Sequence, residues 1–183
     1  MHKFSKLMII VSLAAMLGLF AGSSSAAAGQ TRLFRLLGTA TAHTCKIPRT
    51  EQGTTSTNLC FTVDLFEFRD GAFTRVGTAT DALADLRQVG DGLAVTGTTF
   101  FNLPEGRLVT RELTTVQPVT INSESVSHIT GFIPNPGENN ILQGTGAFGG
   151  ARGSVRLSGA VDMRRLQSNN QIAFDCLFVI VFR

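Results

Sequence analysis

Four side chains able to do chemistry lie inside runs that otherwise read as strands. They are Asp64 in Cys60-Phe61-Thr62-Val63-Asp64-Leu65, Arg111 beside Glu112, His128 in Ser127-His128-Ile129-Thr130-Gly131, and Asp175 between Phe174 and Cys176. A carboxylate among apolar neighbours is costly to bury without a partner. Desolvation would raise its pKa and suit Asp64 or Asp175 to proton transfer. The alternative for both is a structural ion pair with Arg75, Arg111 or Arg152, since ion pairing perturbs a pKa without any catalysis. His128 has the ordinary pKa of a general acid or base, with a hydrogen-bonded wall or rim residue as its other role. Arg111 and Glu112 are strand neighbours, so one must face each way. An inward Arg111 could clamp a carboxylate or stabilise an oxyanion, whereas an outward one is a surface or interface charge. The catalytic candidates are therefore Asp64, Arg111, His128 and Asp175.

Other chemistries lack their residues. No Ser-His-Asp motif, nucleophile elbow or CxxC occurs, so hydrolase and thiol-redox readings have no support. His43 lies beside Cys45 with no partner at ligand spacing, so no metal site is expected. Lys46 is the one lysine beyond residue 28, and it sits in an expected loop, a poor place for a Schiff base.

The elements that must position these groups are nearly all β. Leu33 to Thr39, Leu59 to Phe68, Phe73 to Thr80, Leu93 to Asn102, Arg107 to Ile121, His128 to Ile133, Gly153 to Met163 and Gln171 to Phe182 are β-branched or aromatic runs. Turn signals such as Arg69-Asp70-Gly71, Gly90-Asp91-Gly92, Leu103-Pro104-Glu105-Gly106 and Pro134-Asn135-Pro136-Gly137 separate them. Eight strands with short connections make a small closed barrel, an all-β fold. Asp81 to Arg87 fits either a short helical turn or more strand.

In Ser154 to Met163 the apolar set Val155, Leu157, Val161 and Met163 alternates with Ser154, Arg156, Ser158 and Asp162, giving one dry face and one wet. The last strand is apolar on both faces, Phe174, Cys176, Phe178 and Ile180 on one and Leu177, Val179 and Val181 on the other. A barrel strand apolar outside as well as inside calls for a cover, which predicts a homo-oligomer. An outer-membrane barrel would wear girdles of Trp and Tyr, and the chain has neither. The same lack weakens a sugar-binding reading.

The N-terminus sets the compartment. Met1 to Lys6 is a basic n-region, Leu7 to Ala21 an apolar h-region and Ser23 to Ala28 a small-residue cleavage zone, together a secretory signal peptide. The expected organisation is a signal peptide over 1–28 and one barrel domain over 29–183, exported to the periplasm or the medium, with no integral membrane span. The whole chain carries +3 from 16 basic and 13 acidic residues; without Lys3 and Lys6 it is 14 against 13, or +1. A surface so near neutrality gives no electrostatic footprint for nucleic acid. In an oxidising compartment Cys45 and Cys60 could close the loop between them, a bridge worth roughly 3 kcal/mol. Cys176 then remains as a buried thiol acting as a small hydrophobe.

One glycine-dense stretch is more specific. Gly144-Thr145-Gly146-Ala147-Phe148-Gly149-Gly150-Ala151-Arg152-Gly153 feeds a strand, as a barrel corner or bulge does. A phosphate cradle would feed a helix N-terminus instead. The stretch resembles the GGTGxFxxARG signature of the allene oxide cyclase barrel superfamily, which includes the plant dirigent proteins, with Gln143 where that family often has glycine. Gly77 to Asp81 and Phe100 to Leu108 look like the strand and the LP-x-G hairpin of its bacterial members. The resemblance runs from about Leu59 to Phe182. It implies an eight-stranded antiparallel barrel with a mostly apolar lumen, assembled as a trimer. It also implies a small hydrophobic or phenolic partner and cofactor-free cyclase, isomerase or lyase chemistry, or dirigent-like control of a reactive intermediate. A non-catalytic binding or structural barrel of the cell envelope is the alternative. Catalysis predicts that two or more of Asp64, Arg111, His128 and Asp175 converge in the lumen, and a carrier predicts an almost wholly apolar one.

Overall fold

The computed structural model describes residues 28–48, 55–121, 124–132 and 139–183. The signal peptide expected over 1–28, apart from Ala28, and the turn expected at Pro134 to Gly137 fall outside the described residues. Ten strand segments follow in order: β1 (Thr31–Thr41), β2 (His43–Pro48), β3 (Thr55–Arg69), β4 (Ala72–Val89), β5 (Gly92–Leu103), β6 (Gly106–Ile121), β7 (Glu124–Phe132), β8 (Ile141–Gly144), β9 (Gly153–Asp162) and β10 (Gln171–Phe182). The helix α1 (Leu166–Asn169) and a 3-10 turn over Gly146–Phe148 are the remaining elements.

The ten segments make an eight-stranded antiparallel barrel. Pairing runs β1-β10-β9-β7-β6-β5-β4-β3, and β3 returns to β1 through Phe34↔Glu67 to Leu37↔Asp64. β2 carries the line of β1 past Ala42 along β3, and β8 carries the line of β7 along β6. Asn140 seals the wall there. Its side-chain amide bonds both the N–H and the carbonyl of Val155, while its own carbonyl accepts from Arg111 N–H. Closure of β3 onto β1 pairs both sides of the eight barrel strands along most of their length, which is how a small β protein limits exposed unpaired backbone; β2 is bonded on its β3 side alone.

Each run expected from the sequence lies in a strand to within a residue at its ends, Ile133 being outside the described residues. Asp81 to Arg87 is also strand, continuing β4 alongside β5, with a bulge between Ala84 and Arg87 where Asp85 takes φ 52°. The segments β2 and β8 and the short α1 are additions. The tight β3–β4 hairpin follows from Asp70-Gly71, whose φ values of 51° and 82° suit a turn with both central residues left-handed.

Alternation divides inside from outside. On β3 Phe61, Val63 and Leu65 are buried while Thr62 and Asp64 are exposed; on β10 Phe174, Cys176, Phe178, Ile180 and Phe182 are buried. The inward phenylalanines stack through one half of the barrel, Phe101 lying 5.6 Å from Phe34 and 5.2 Å from Phe178 between ring centres. That half is closed by Arg32, whose guanidinium holds both oxygens of buried Glu67, bonds Glu105 at 2.8 Å and lies over the rings of Phe34 and Phe148. Burial pushes the Glu67 carboxyl up, but Arg32 and Arg69 outweigh it and hold the group below its ordinary value.

The glycine-dense stretch forms the corner beside this plug. Gly146 has φ 59°, and a Cβ there would stand 2.3 Å from the Glu105 carbonyl oxygen, so only glycine lets the turn seat Phe148 in the barrel end. A smaller apolar cluster of Ile47, Cys60, Ala82, Phe100 and Val109 covers the outer face of β3 to β6. The disulfide between Cys45 and Cys60 pins β2 against that cluster, and Cys176 is a free, buried thiol.

Candidate functional site

The four residues singled out by type do not meet. Asp64 is exposed on the outer face of β3, where Arg75 donates to its Oδ1 from Nε at 2.9 Å and Nη2 at 2.7 Å. Asp175 is exposed on the outer face of β10, held by Arg35 through two 2.8 Å bonds that keep its carboxyl below the ordinary value. His128 is exposed between the buried Ser127 and Ile129. Arg111 points outward from β6, its Nε donating to Thr98 Oγ1 at 2.9 Å; burial lowers its pKa, with Asp85 acting in the opposite direction. Asp64, Arg111, His128 and Asp175 are thus outer-wall residues. The physical reason is register: each sits one position from a side chain that fills the lumen, so the two-residue period turns it away.

The same period turns two other acids inward. Glu112 follows Arg111 and faces the lumen between buried Thr110 and Thr114. Asp81 sits on β4 directly across from Phe61 on one side and Thr99 on the other, and Thr99 donates to its Oδ1 at 3.1 Å. β5 runs between the strands that carry the two acids, and the position opposite Glu112 is Gly97. With no side chain there, nothing from β5 stands between the carboxyl groups at that level. A Cβ at Gly97 would be 3.3 Å from Thr114 Oγ1 and 3.8 Å from Asp81 Oδ1. On β7, Gly131 clears the other side, since a Cβ there would stand 2.6 Å from Glu112 Cδ. Gly131 makes the space in which the Glu112 carboxyl lies, and Gly97 leaves room beside Thr114 Oγ1 and Asp81 Oδ1.

The electrostatics of this pair are unusual for a wall residue. Glu112 is 5% exposed, and both of its carboxyl oxygens, with Thr110 Oγ1, lack a hydrogen-bond partner among the described residues. Burial, and after it the charge of Asp81, pushes the Glu112 carboxyl up to about 8. Burial likewise raises Asp81 to about 6, against the opposing bond from Thr99. Asp81 is half-buried by surface, and its side chain shares the inward face with Phe61 and Thr99. The Cys176 thiol is also held protonated, by burial first and by Asp81 second, and donates to the Ala160 carbonyl.

Two carboxyl groups whose environments separate their pKa values carry one proton between them across neutral pH. In that window Glu112 is an acid and Asp81 a base. Among the described residues no group of three His, Cys, Asp or Glu is placed to hold a metal ion. No family model, curated protein or solved structure matches the chain.

Proposed function

We propose that this is an exported barrel that takes a small hydrophobic or phenolic molecule into the part of its lumen bounded by Asp81 and Glu112. There the two carboxyl groups do cofactor-free acid–base work of the isomerase, cyclase or lyase kind. The observation that carries the reading is the acid pair: Glu112 is buried with both oxygens unpartnered and lies within electrostatic reach of Asp81, two strands away on the same inward face. A buried polar group without a partner is destabilising, and perturbed carboxyls in a concave site are what proton transfer uses. Half-buried Leu83 and Val116 border the lumen on the side away from the Arg32 plug and give an apolar approach. Holding a reactive molecule there in one conformation supplies the orientation such chemistry needs.

The resemblance to the allene oxide cyclase barrel superfamily supports the same reading, and membership in it is part of the proposal. Export rests on the composition of residues 1–28. The outer faces of β1 and β10 support assembly into a homo-oligomer, a trimer by the resemblance: Leu33, Leu177, Val179 and Val181 are half-buried there and Leu37 is exposed.

A non-catalytic carrier or envelope barrel is the second reading. The outward placement of Asp64, Arg111, His128 and Asp175 and the phenylalanine packing of the other half of the lumen favour it. Native mass spectrometry of the protein and of Glu112→Gln, incubated with an extract of the producing cells and with pooled phenolics and fatty-acid epoxides, separates the two. A molecule retained and altered by the protein but retained unaltered by the variant supports catalysis. Retention unaltered by both supports the carrier, and an empty barrel throughout overturns both binding readings. The same spectra give the oligomeric state.

A further inference from the structure

Resting on the reading that this part of the lumen is the binding site, we infer that its ligand carries a basic amine on an apolar body, the ammonium sitting between Asp81 and Glu112. The argument starts from charge. Among the described residues the titratable groups facing this part of the lumen are Asp81 from β4, Glu112 from β6 and Cys176 from β10. The other strands present Phe61, Gly97, Ile129 and Leu157, none of which ionises. The guanidiniums lie elsewhere: Arg32 is engaged by Glu67 and Glu105 at the plugged end, and Arg111, Arg75 and Arg35 are on the outer wall. Nothing positive on these strands compensates the two acids.

The hydrogen-bond inventory agrees. Both Glu112 oxygens and Thr110 Oγ1 are unpartnered, and Thr99 supplies Asp81 with one donor. The four carboxyl oxygens of Asp81 and Glu112 outnumber the donors, which are the hydroxyls of Thr99 and Thr110 and the one proton that Glu112 holds near neutral pH. An ammonium brings three donors and no acceptor. A neutral carbonyl would accept from Glu112 or Thr110 and leave the other carboxyl oxygens without a donor, a hydroxyl would satisfy one of them, and a carboxylate or phosphate would add a further negative charge in a site of low dielectric. Phe61, fully buried, is directly across from Asp81, and its contact with Phe174 at 5.7 Å between ring centres gives an aromatic wall beside the acids for the apolar body.

A cation between the acids favours their charged forms. Amine binding near neutral pH then expels the proton that Glu112 holds, and affinity rises with pH until the amine itself deprotonates.

Isothermal titration calorimetry tests this with primary amines of graded apolar body, butylamine to dodecylamine and 2-phenylethylamine, each matched to its alcohol and its carboxylic acid. The expected result is an amine bound at least tenfold more tightly than its alcohol, no binding of the acid, and close to one proton released per amine in buffers of differing ionisation enthalpy. Glu112→Gln and Asp81→Asn each weaken the amine at least tenfold and leave the alcohol unchanged, while Asp64→Asn on the outer wall changes nothing. Circular dichroism of the variants establishes that they fold. Alcohols bound as tightly as amines, or amine binding indifferent to both lumen variants, overturn the amine assignment and leave the lumen reading standing. No binding by any member of the panel overturns both.

Discussion

Replacing Glu112 with Gln keeps the side chain's shape and removes its ionisation, so it reads the energetic consequence of burying that carboxyl. An acid whose folded pKa is raised binds more protons in the native state than in the unfolded state at every pH between the two values. Stability therefore falls as pH rises through that window. For Glu112 the window runs from an ordinary 4.5 to about 8. At ~1.36 kcal/mol per pH unit, the loss across it has a ceiling of ~5 kcal/mol. For a chain of this size that corresponds to on the order of 10–20 °C in Tm. Asp81, raised from 3.8 to about 6, adds a smaller loss at the acid end of the same window. The paired carboxyls Asp162, Asp175 and Glu67 are all lowered, so their stabilising partnerships are lost only in more acid solution. Thermal melts followed by far-UV circular dichroism at pH 5, 6, 7, 8 and 9, disulfide intact, measure the slope. The wild-type Tm falls from pH 5 to 8 and levels off by pH 9, while Glu112→Gln shows only a shallow fall below pH 7 and exceeds wild type most at pH 8 to 9. A wild-type Tm flat across this range, or a variant curve parallel to it, refutes the desolvated carboxyl.

Three further outcomes follow from named contacts. Gly131→Ala places a methyl group 2.6 Å from the Glu112 carboxyl carbon; by overpacking it costs about 1–3 kcal/mol in urea unfolding and weakens retention of any lumen ligand. Arg32→Met strips the main partner from buried Glu67 and costs about 3–5 kcal/mol in the same assay, whereas Asp175→Asn, on an exposed pair, costs under about 1 kcal/mol. Reduction of the Cys45–Cys60 disulfide lowers stability by roughly 3 kcal/mol. Iodoacetamide then labels the part-exposed Cys45 and leaves Cys60 and Cys176, both buried, unmodified until the barrel unfolds.

The barrel was legible because its signal is local. The alternation in Ser154 to Met163, the turn chemistry of Asp70-Gly71 and the aromatic runs each mark a strand without reference to any other. The site was legible only halfway. That Arg111 and Glu112 must face opposite ways follows from the strand period, but which faces inward depends on register with β5, and Val109, Arg111 and Leu113 are no less apolar a set than Leu108, Thr110, Glu112 and Thr114. Asp81 was hidden in Asp81-Ala82-Leu83-Ala84-Asp85-Leu86-Arg87, whose composition suits a helical turn as well as a strand; pairing with β3 and β5 decides the matter, and the Asp85 bulge absorbs the mismatch. Asp64 and Asp175 drew attention because their neighbours are apolar. Yet an apolar neighbour one residue away in a strand lies on the other face, so the lumen acids are instead those whose second neighbours are buried.

A carbon-13 NMR titration of the side-chain carboxyls, on the protein and on Glu112→Gln, tests the central claim most directly. The account predicts one carboxyl titrating near 8 that vanishes in the variant, a second near 6 belonging to Asp81, and movement of both on adding a bound amine. If all of the chain's 13 acidic side chains titrate at or below the ordinary carboxylate range, the lumen holds no desolvated acid pair and the proposed site is wrong.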